Sequence, residues 1–261
     1  MRPIPFAKAQ ACGNDFILIE ARHAPPDLAA ATRAICDRHL GVGADGVEWI
    51  FPDPQADARA RLFNSDGSEA EISGNGTRCV AAWLAAQAEK KEFRVRTGAG
   101  IKTCRLTGRE GQRFEFETTM GEPVVGAPRT LRLSHGEVTG IPVSMGNPHF
   151  VVLVAEFEPG WPARAAEIGG LSAFEHGVNV ELVVIKNKEE IAIRIFERGA
   201  GETLSSGTGS CAAAVAAISG GRAHSPLRVV APGGVQTVRW EQNQVLLRGP
   251  AQLVCRGEIL A

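Results

Sequence analysis

The chain repeats itself. Gly13-Asn14 returns as Gly146-Asn147, Arg61-Leu62-Phe63-Asn64 as Arg194-Ile195-Phe196-Glu197, and Ser73-Gly74-Asn75-Gly76 as Ser206-Gly207-Thr208-Gly209, each 133 residues further on. Phe93-Arg94-Val95 with Gly100-Ile101 and Thr103 comes back one residue later still, as Leu227-Arg228-Val229 with Gly234-Val235 and Thr237. Such a repeat predicts two related domains, and 261 residues at 44% hydrophobic content supply a core for each. Each half brings a glycine loop headed by a serine. One site built from a matched pair of loops is suited to treating a small substrate from two opposite sides.

Charge and composition remove several classes of function. A formal net charge of −1 gives no basic field for a polyanion, which argues against nucleic acid as a partner. The stretch from Phe6 to Glu20 is broken by Lys8, Asn14 and Asp15, so it does not read as a signal peptide. The longest apolar run, Cys211 to Ile218, is too short to cross a bilayer, and a soluble cytoplasmic protein with no membrane partner is expected. The six cysteines (Cys12, Cys36, Cys79, Cys104, Cys211, Cys255) show no CxxC spacing and read as free, buried thiols. The six histidines are scattered without an HExxH or an i,i+4 pair, so no metal site is expected.

A helix is expected from Pro26 to about Arg38, with proline at its start and Gly41 beyond its end. Alternating runs predict strands at 58–64, 93–97, 101–106 and 113–118, and in the second half at 150–155, 178–185, 190–197, 227–231, 235–241 and 245–248. The segments from Cys79 to Ala86 and from Cys211 to Ile218 are apolar on nearly every face, and such helices are buried all round. The fold class that follows is α/β, of the α+β kind: two pseudo-symmetric domains, each a curved, mostly antiparallel sheet or barrel around a central buried helix. The halves divide as 1–121, which the C-terminal tail 252–261 can complete, and 122–251. Gly121, Pro123, Gly126 and Pro128 mark the crossover.

The loops Gly74-Asn75-Gly76 and Gly207-Thr208-Gly209 stand at the starts of those two helices, where backbone N–H groups are exposed at a positive helix end. One such loop alone is an ordinary turn into a helix. Two at matching positions, each opening a buried helix with no strong cap, point to a bound carboxylate or phosphate that satisfies the amides, with glycine allowing close backbone approach. A nucleotide loop is excluded because no Gly-Lys-Ser/Thr follows, and a hydrolase elbow because Ser206 lacks the Gly-x-Ser-x-Gly frame.

Several further motifs, in order along the chain, resemble diaminopimelate epimerase. They are Gly13-Asn14-Asp15-Phe16, the run from Gly41 to Gly46, Asn64-Ser65-Asp66-Gly67-Ser68-Glu69, Gly74-Asn75-Gly76-Thr77-Arg78-Cys79, Gly146-Asn147-Pro148-His149 and the run from Glu197 to Thr203. The resemblance covers about Lys8 to Gly249. It implies a cofactor-independent isomerase of lysine and cell-wall biosynthesis, converting LL- to meso-diaminopimelate at a site in the cleft between its two domains. In that family a cysteine from each half flanks the substrate Cα, one removing a proton and the other returning it on the opposite face. The resemblance also implies that the amides of Gly74, Asn75, Gly207 and Thr208 hold the reacting carboxylate. Asn14, Asn64, Asn147, Asn179 and Arg198 would hold the substrate, with His149 and Glu197 beside the reacting amino group, and the protein would be a homodimer. The chemistry agrees, since an arginine fork suits a second carboxylate and amide side chains both donate and accept. Taken singly, Asn14 also reads as a turn residue, Arg198 as an ion-pair partner of Glu197 or Glu202, and His149 as a core histidine.

One departure bears on the chemistry. The two positions where the family has its catalytic cysteines are Ser73 and Ser206 here. A thiol ionises near pH 8.5, and lower at a helix start, whereas a hydroxyl does not ionise without an adjacent base. Cys79 and Cys211 lie more than a helical turn beyond the loop heads and are not expected to substitute. Three readings remain open: a silenced epimerase in which both cysteines were replaced, a natural serine variant acting as a racemase or dehydratase with His149 or Glu197 as base, and an amino-acid binding protein without turnover.

Overall fold

The computed structural model describes residues 3–260. It divides into two compact units, one taking the chain up to Thr119 and again from Arg248 on, the other running from Met120 to Leu247.

In the first unit the order is β1 (Ile4–Ala11), β2 (Asn14–Glu20), α1 (Leu28–Cys36), β3 (Gly46–Phe51), β4 (Ala58–Asn64), β5 (Glu69–Ala70), α2 (Gly74–Ala85), β6 (Glu92–Thr97), β7 (Gly100–Glu110) and β8 (Arg113–Gly121). The second unit follows with β9 (Val124–Val125), β10 (Arg129–Leu133), β11 (Gly136–Ser144), β12 (Pro148–Leu153), α3 (Trp161–Gly169), β13 (Asn179–Ile185), β14 (Glu190–Glu197), β15 (Gly201–Thr203), α4 (Gly207–Ser219), β16 (Leu227–Ala231) and β17 (Gly234–Glu241). A long final strand, β18 (Gln244–Ile259), carries the chain back into the first unit.

The first unit closes on itself. β1 pairs antiparallel with β2, β2 parallel with β3, β3 antiparallel with β4 and β4 parallel with β6. β6 then pairs antiparallel with β7, β7 antiparallel with β8, β8 with β18, and β18 antiparallel with β1, so eight strands form a ring without a free edge. Through it runs α2, whose Cys79, Val80, Ala81 and Ala82 are fully buried against Ala7, Ala9, Leu62, Phe93, Phe114 and Phe116. Small side chains on the helix, met by Ala7 and Ala9 of β1, let the sheet curl that closely. The second unit repeats the pairing from β11 through β12, β13, β14 and β16 to β17, antiparallel and parallel links alternating in the same order around α4, which is buried from Gly207 to Ala217.

Each unit is thus the curved sheet around a buried helix that the sequence predicts. The sequence reading missed β2 and β3 because they are buried on both faces and lack alternation, as parallel neighbours do. β1, which does alternate, the hairpin of β10 and β11 and helix α3 also went unread. Helix α1 is shorter than expected because Asp27, rather than Pro26, fixes its start: the carboxylate accepts the Ala30 amide at 2.9 Å. Asp27→Ala should therefore cost about 1 kcal/mol in denaturant unfolding, and no change in midpoint would remove that cap from the account.

Candidate active site

In the first unit, Ser73 leaves β-type backbone and caps α2, its hydroxyl accepting the Gly76 amide at 3.0 Å while its carbonyl takes the Thr77 hydroxyl at 2.7 Å. In the second, Ser206 does the same for α4, accepting the Gly209 amide at 3.2 Å. The expectation that these helix starts lack a strong cap is corrected, since serine is among the best residues for satisfying the third amide of a helix. The capped amide is the third of each helix, with Gly74 and Asn75, and Gly207 and Thr208, in the two positions before it.

Behind the first loop, a chain of amides and one guanidinium fixes the side chains. Asn75 is fully buried; its Nδ2 donates to Asn14 Oδ1 at 3.3 Å and its Oδ1 receives Arg78 Nη2 at 2.5 Å. Arg78 is anchored in turn on the carbonyls of Gly74 and Pro250. Asn14 donates to Asp45 Oδ2 at 2.7 Å, and Arg38 bridges Asp45 and Asp15. Burial pushes the Asp15 carboxyl upward, but hydrogen bonds from Arg38 and Lys8 outweigh it and leave Asp15 below the usual range. Asn64, at the end of β4, donates to the Ser68 hydroxyl at 3.0 Å and closes the turn there.

In the second unit the network is continuous. Glu181 Oε1 meets His149 Nδ1 at 2.7 Å, His149 Nε2 meets Asn147 Oδ1 at 2.9 Å, and Asn147 Nδ2 donates to Thr208 Oγ1 at 3.3 Å. The Thr208 and Ser206 hydroxyls are 3.5 Å apart. Because Asn147 offers its oxygen to the ring, Nε2 carries hydrogen. His149 is 1% exposed, with both ring nitrogens in hydrogen bonds. Burial raises the Glu197 carboxyl pKa, while hydrogen bonds from the Ser206 and Thr203 hydroxyls pull it back the other way. Asn179 donates to the Pro148 carbonyl at 3.1 Å and accepts the Arg198 amide at 2.9 Å, while the Arg198 guanidinium holds the His176 carbonyl at 3.2 Å.

The second glycine of each loop has a reason the sequence reading missed. A Cβ on Gly76 would stand 2.1 Å from Glu48 Oε1, and one on Gly209 would stand 2.7 Å from Glu181 Oε1, so each loop lies on a buried carboxyl. Carrying the 133-residue repeat into β3 and β13 would have revealed this pair. Cys79 and Cys211 are fully buried inside their helices, with the Cys79 thiol pushed well above its ordinary range by burial, and neither replaces a loop-head thiol.

The fold defines the class. The chain resembles a hydroxyproline epimerase from Agrobacterium vitis solved with trans-4-hydroxy-L-proline bound (TM-score 0.78, 16% identity, 99% of this chain and 91% of that one). It also resembles a probable proline racemase from Agrobacterium radiobacter (TM-score 0.79, 15% identity, 98% and 92% covered). At that identity the likeness speaks for the racemase and epimerase fold alone. Sequence goes further. The profile of the diaminopimelate epimerase family matches residues 6–125 and 141–254. Diaminopimelate epimerases of Desulfitobacterium hafniense and Microcystis aeruginosa are 37% and 39% identical to this chain, each over 97% of it and 97% and 98% of their own lengths. The chain belongs to the diaminopimelate epimerase family and is an isomerase.

Proposed function

We propose that this chain inverts the Cα of diaminopimelate, LL to meso, without a metal or organic cofactor, one half-site from each repeat meeting each face of the carbon. Ser73 and Ser206 stand at the reacting positions, the amides of Gly74, Asn75, Gly207 and Thr208 hold the reacting carboxylate, and Glu197 lies beside the ammonium. Asn14, Asn64, Asn147, Asn179 and Arg198 hold the rest of the substrate, and His149 keeps Asn147 in place. The observation that carries this reading is that Ser73 and Ser206 cap the two buried helices in the same way at repeat-related positions. The cytoplasmic location and the homodimer implied by the resemblance belong to the same reading.

Turnover is slow in this reading because both loop heads carry a hydroxyl where the family carries a thiol. Exchange of Cα hydrogen for deuterium should be weak in the chain as it stands and rise at least about 10²-fold in the Ser73→Cys/Ser206→Cys double variant. A natural serine enzyme is favoured instead if both forms exchange alike, a reading supported by the contact of Ser206 with Glu197. Binding of diaminopimelate without exchange in either form would leave an amino-acid binding protein and end the epimerase reading.

A further inference from the structure

Applied to β3, the repeat brings out a residue with no role in the scheme above. Glu48 stands in register with Leu18 as Glu181 stands with Val151, one repeat later. Both are buried, at 2% and 0% exposure. Glu181 has His149 for a partner, whereas the matching position in the first unit is Phe16, a ring with nothing to donate. No charge offsets the burial of Glu48, and desolvation alone pushes its carboxyl up to about 8. A closed sheet gains nothing from a carboxyl without an opposite charge where leucine would pack. What Glu48 does touch is the loop: the Cβ site of Gly76 lies 2.1 Å from Glu48 Oε1 and 3.3 Å from Ser73 Cβ, so carboxyl and serine flank one glycine.

We propose that Glu48 is the proton partner of Ser73, a positioning residue that acts on the substrate only through that hydroxyl. In the returning direction the Ser73 O–H bond breaks as a C–H bond forms at the carbanionic Cα, and the Glu48 carboxyl passes its proton to Oγ, leaving a carboxylate. In the removing direction Oγ takes the Cα proton and releases its own to the Glu48 carboxylate. The carboxyl thus supplies on the first unit's side what Glu197 supplies to Ser206 on the other. The titratable groups gathered with Glu48 around Cys79 are Cys12, Asp15 and Arg78, and Asp15 is held ionised by Arg38 and Lys8. The inference rests on the function proposed above, and its test is chosen to stand apart from that reading.

The test places a reporter at the loop head. In the Ser73→Cys chain, the alkylation rate of the introduced thiol is followed from pH 5 to 10, with the parent chain's own six cysteines subtracted, with and without Glu48→Gln. With Glu48 present, the profile should show two inflections, one shared with the carboxyl. With glutamine only one should remain, and the rate at pH 9 should rise about tenfold because a neighbouring anion has gone. Superimposable profiles would overturn the proposal whatever the substrate. Where the glutamine variant does not fold, Glu48→Asp serves, with the carboxyl inflection displaced; an unmoved profile again overturns it. On diaminopimelate, Glu48→Gln should lower kcat for exchange at least tenfold with KM unchanged, and Glu48→Asp should restore part of it. Loss in KM alone counts against a proton partner. Absence of exchange in both the parent chain and the Ser73→Cys/Ser206→Cys double variant would strike the proposed substrate, while the thiol profile would still decide the role of Glu48.

Discussion

Ser206→Gly should reduce Cα exchange by about 10²–10⁴-fold while shifting stability by only a few tenths of a kcal/mol. Ser206 has two jobs that this substitution separates. As the cap of α4 its hydroxyl accepts the Gly209 amide, and as the group beside Glu197 the same hydroxyl donates to that carboxyl. Glycine is tolerated at a cap position because water or the backbone replaces the side chain, whereas alanine costs about 1 kcal/mol. Ser206→Ala should therefore match the glycine variant in exchange rate and fall below it in unfolding midpoint. Activity within threefold of the parent in both variants would mean that Ser206 only caps. If activity tracks stability across the pair, the loss is structural and the chemical role fails.

Much of this was legible in the sequence, for a physical reason. A duplicated chain repeats both its packing and its chemistry, so the 133-residue offset pointed to two buried helices opening from glycine loops, and α2 and α4 are those helices. Alanine-rich segments with no polar face can only sit inside something, and the closed sheet of the first unit is what surrounds α2. Part of the reading stopped where burial erases pattern. β2 and β3, covered on both faces, carry no alternation to find. Ser73 and Ser206 are themselves the caps that the sequence reading denies to these helices. Of the site, Asn14 and Asn75 do touch, and Asn147, His149, Thr208 and Ser206 form one chain of contacts. What no motif announced was the layer beneath: Arg78 reaching back to Asn75 within a buried helix, Glu181 behind His149, and Glu48 under Gly76.

Glu48 should also write itself into the stability of the protein. Its carboxyl ionises at about 8 when folded, against an ordinary value of 4.5, and desolvation is the cause. Between those two values the folded chain keeps a proton that the unfolded chain has lost, so raising the pH favours unfolding. The contribution is fully present below pH 4.5, declines by up to about 1.4 kcal/mol per pH unit across the window, and levels off above pH 8. Glu48→Gln keeps the shape and removes the titration. Near pH 4.5 the two proteins should unfold within about 1 kcal/mol of each other, whereas above pH 8 the glutamine variant should be the more stable by several kcal/mol. Urea unfolding of both chains at half-unit steps from pH 4.5 to 9 measures the difference directly. Parallel profiles would mean that Glu48 ionises in the folded chain as it does in water, which would take it out of the dry layer beneath the Ser73 loop. A widening gap would place an uncompensated acid beside that loop, and folding alone gives no reason to keep one there.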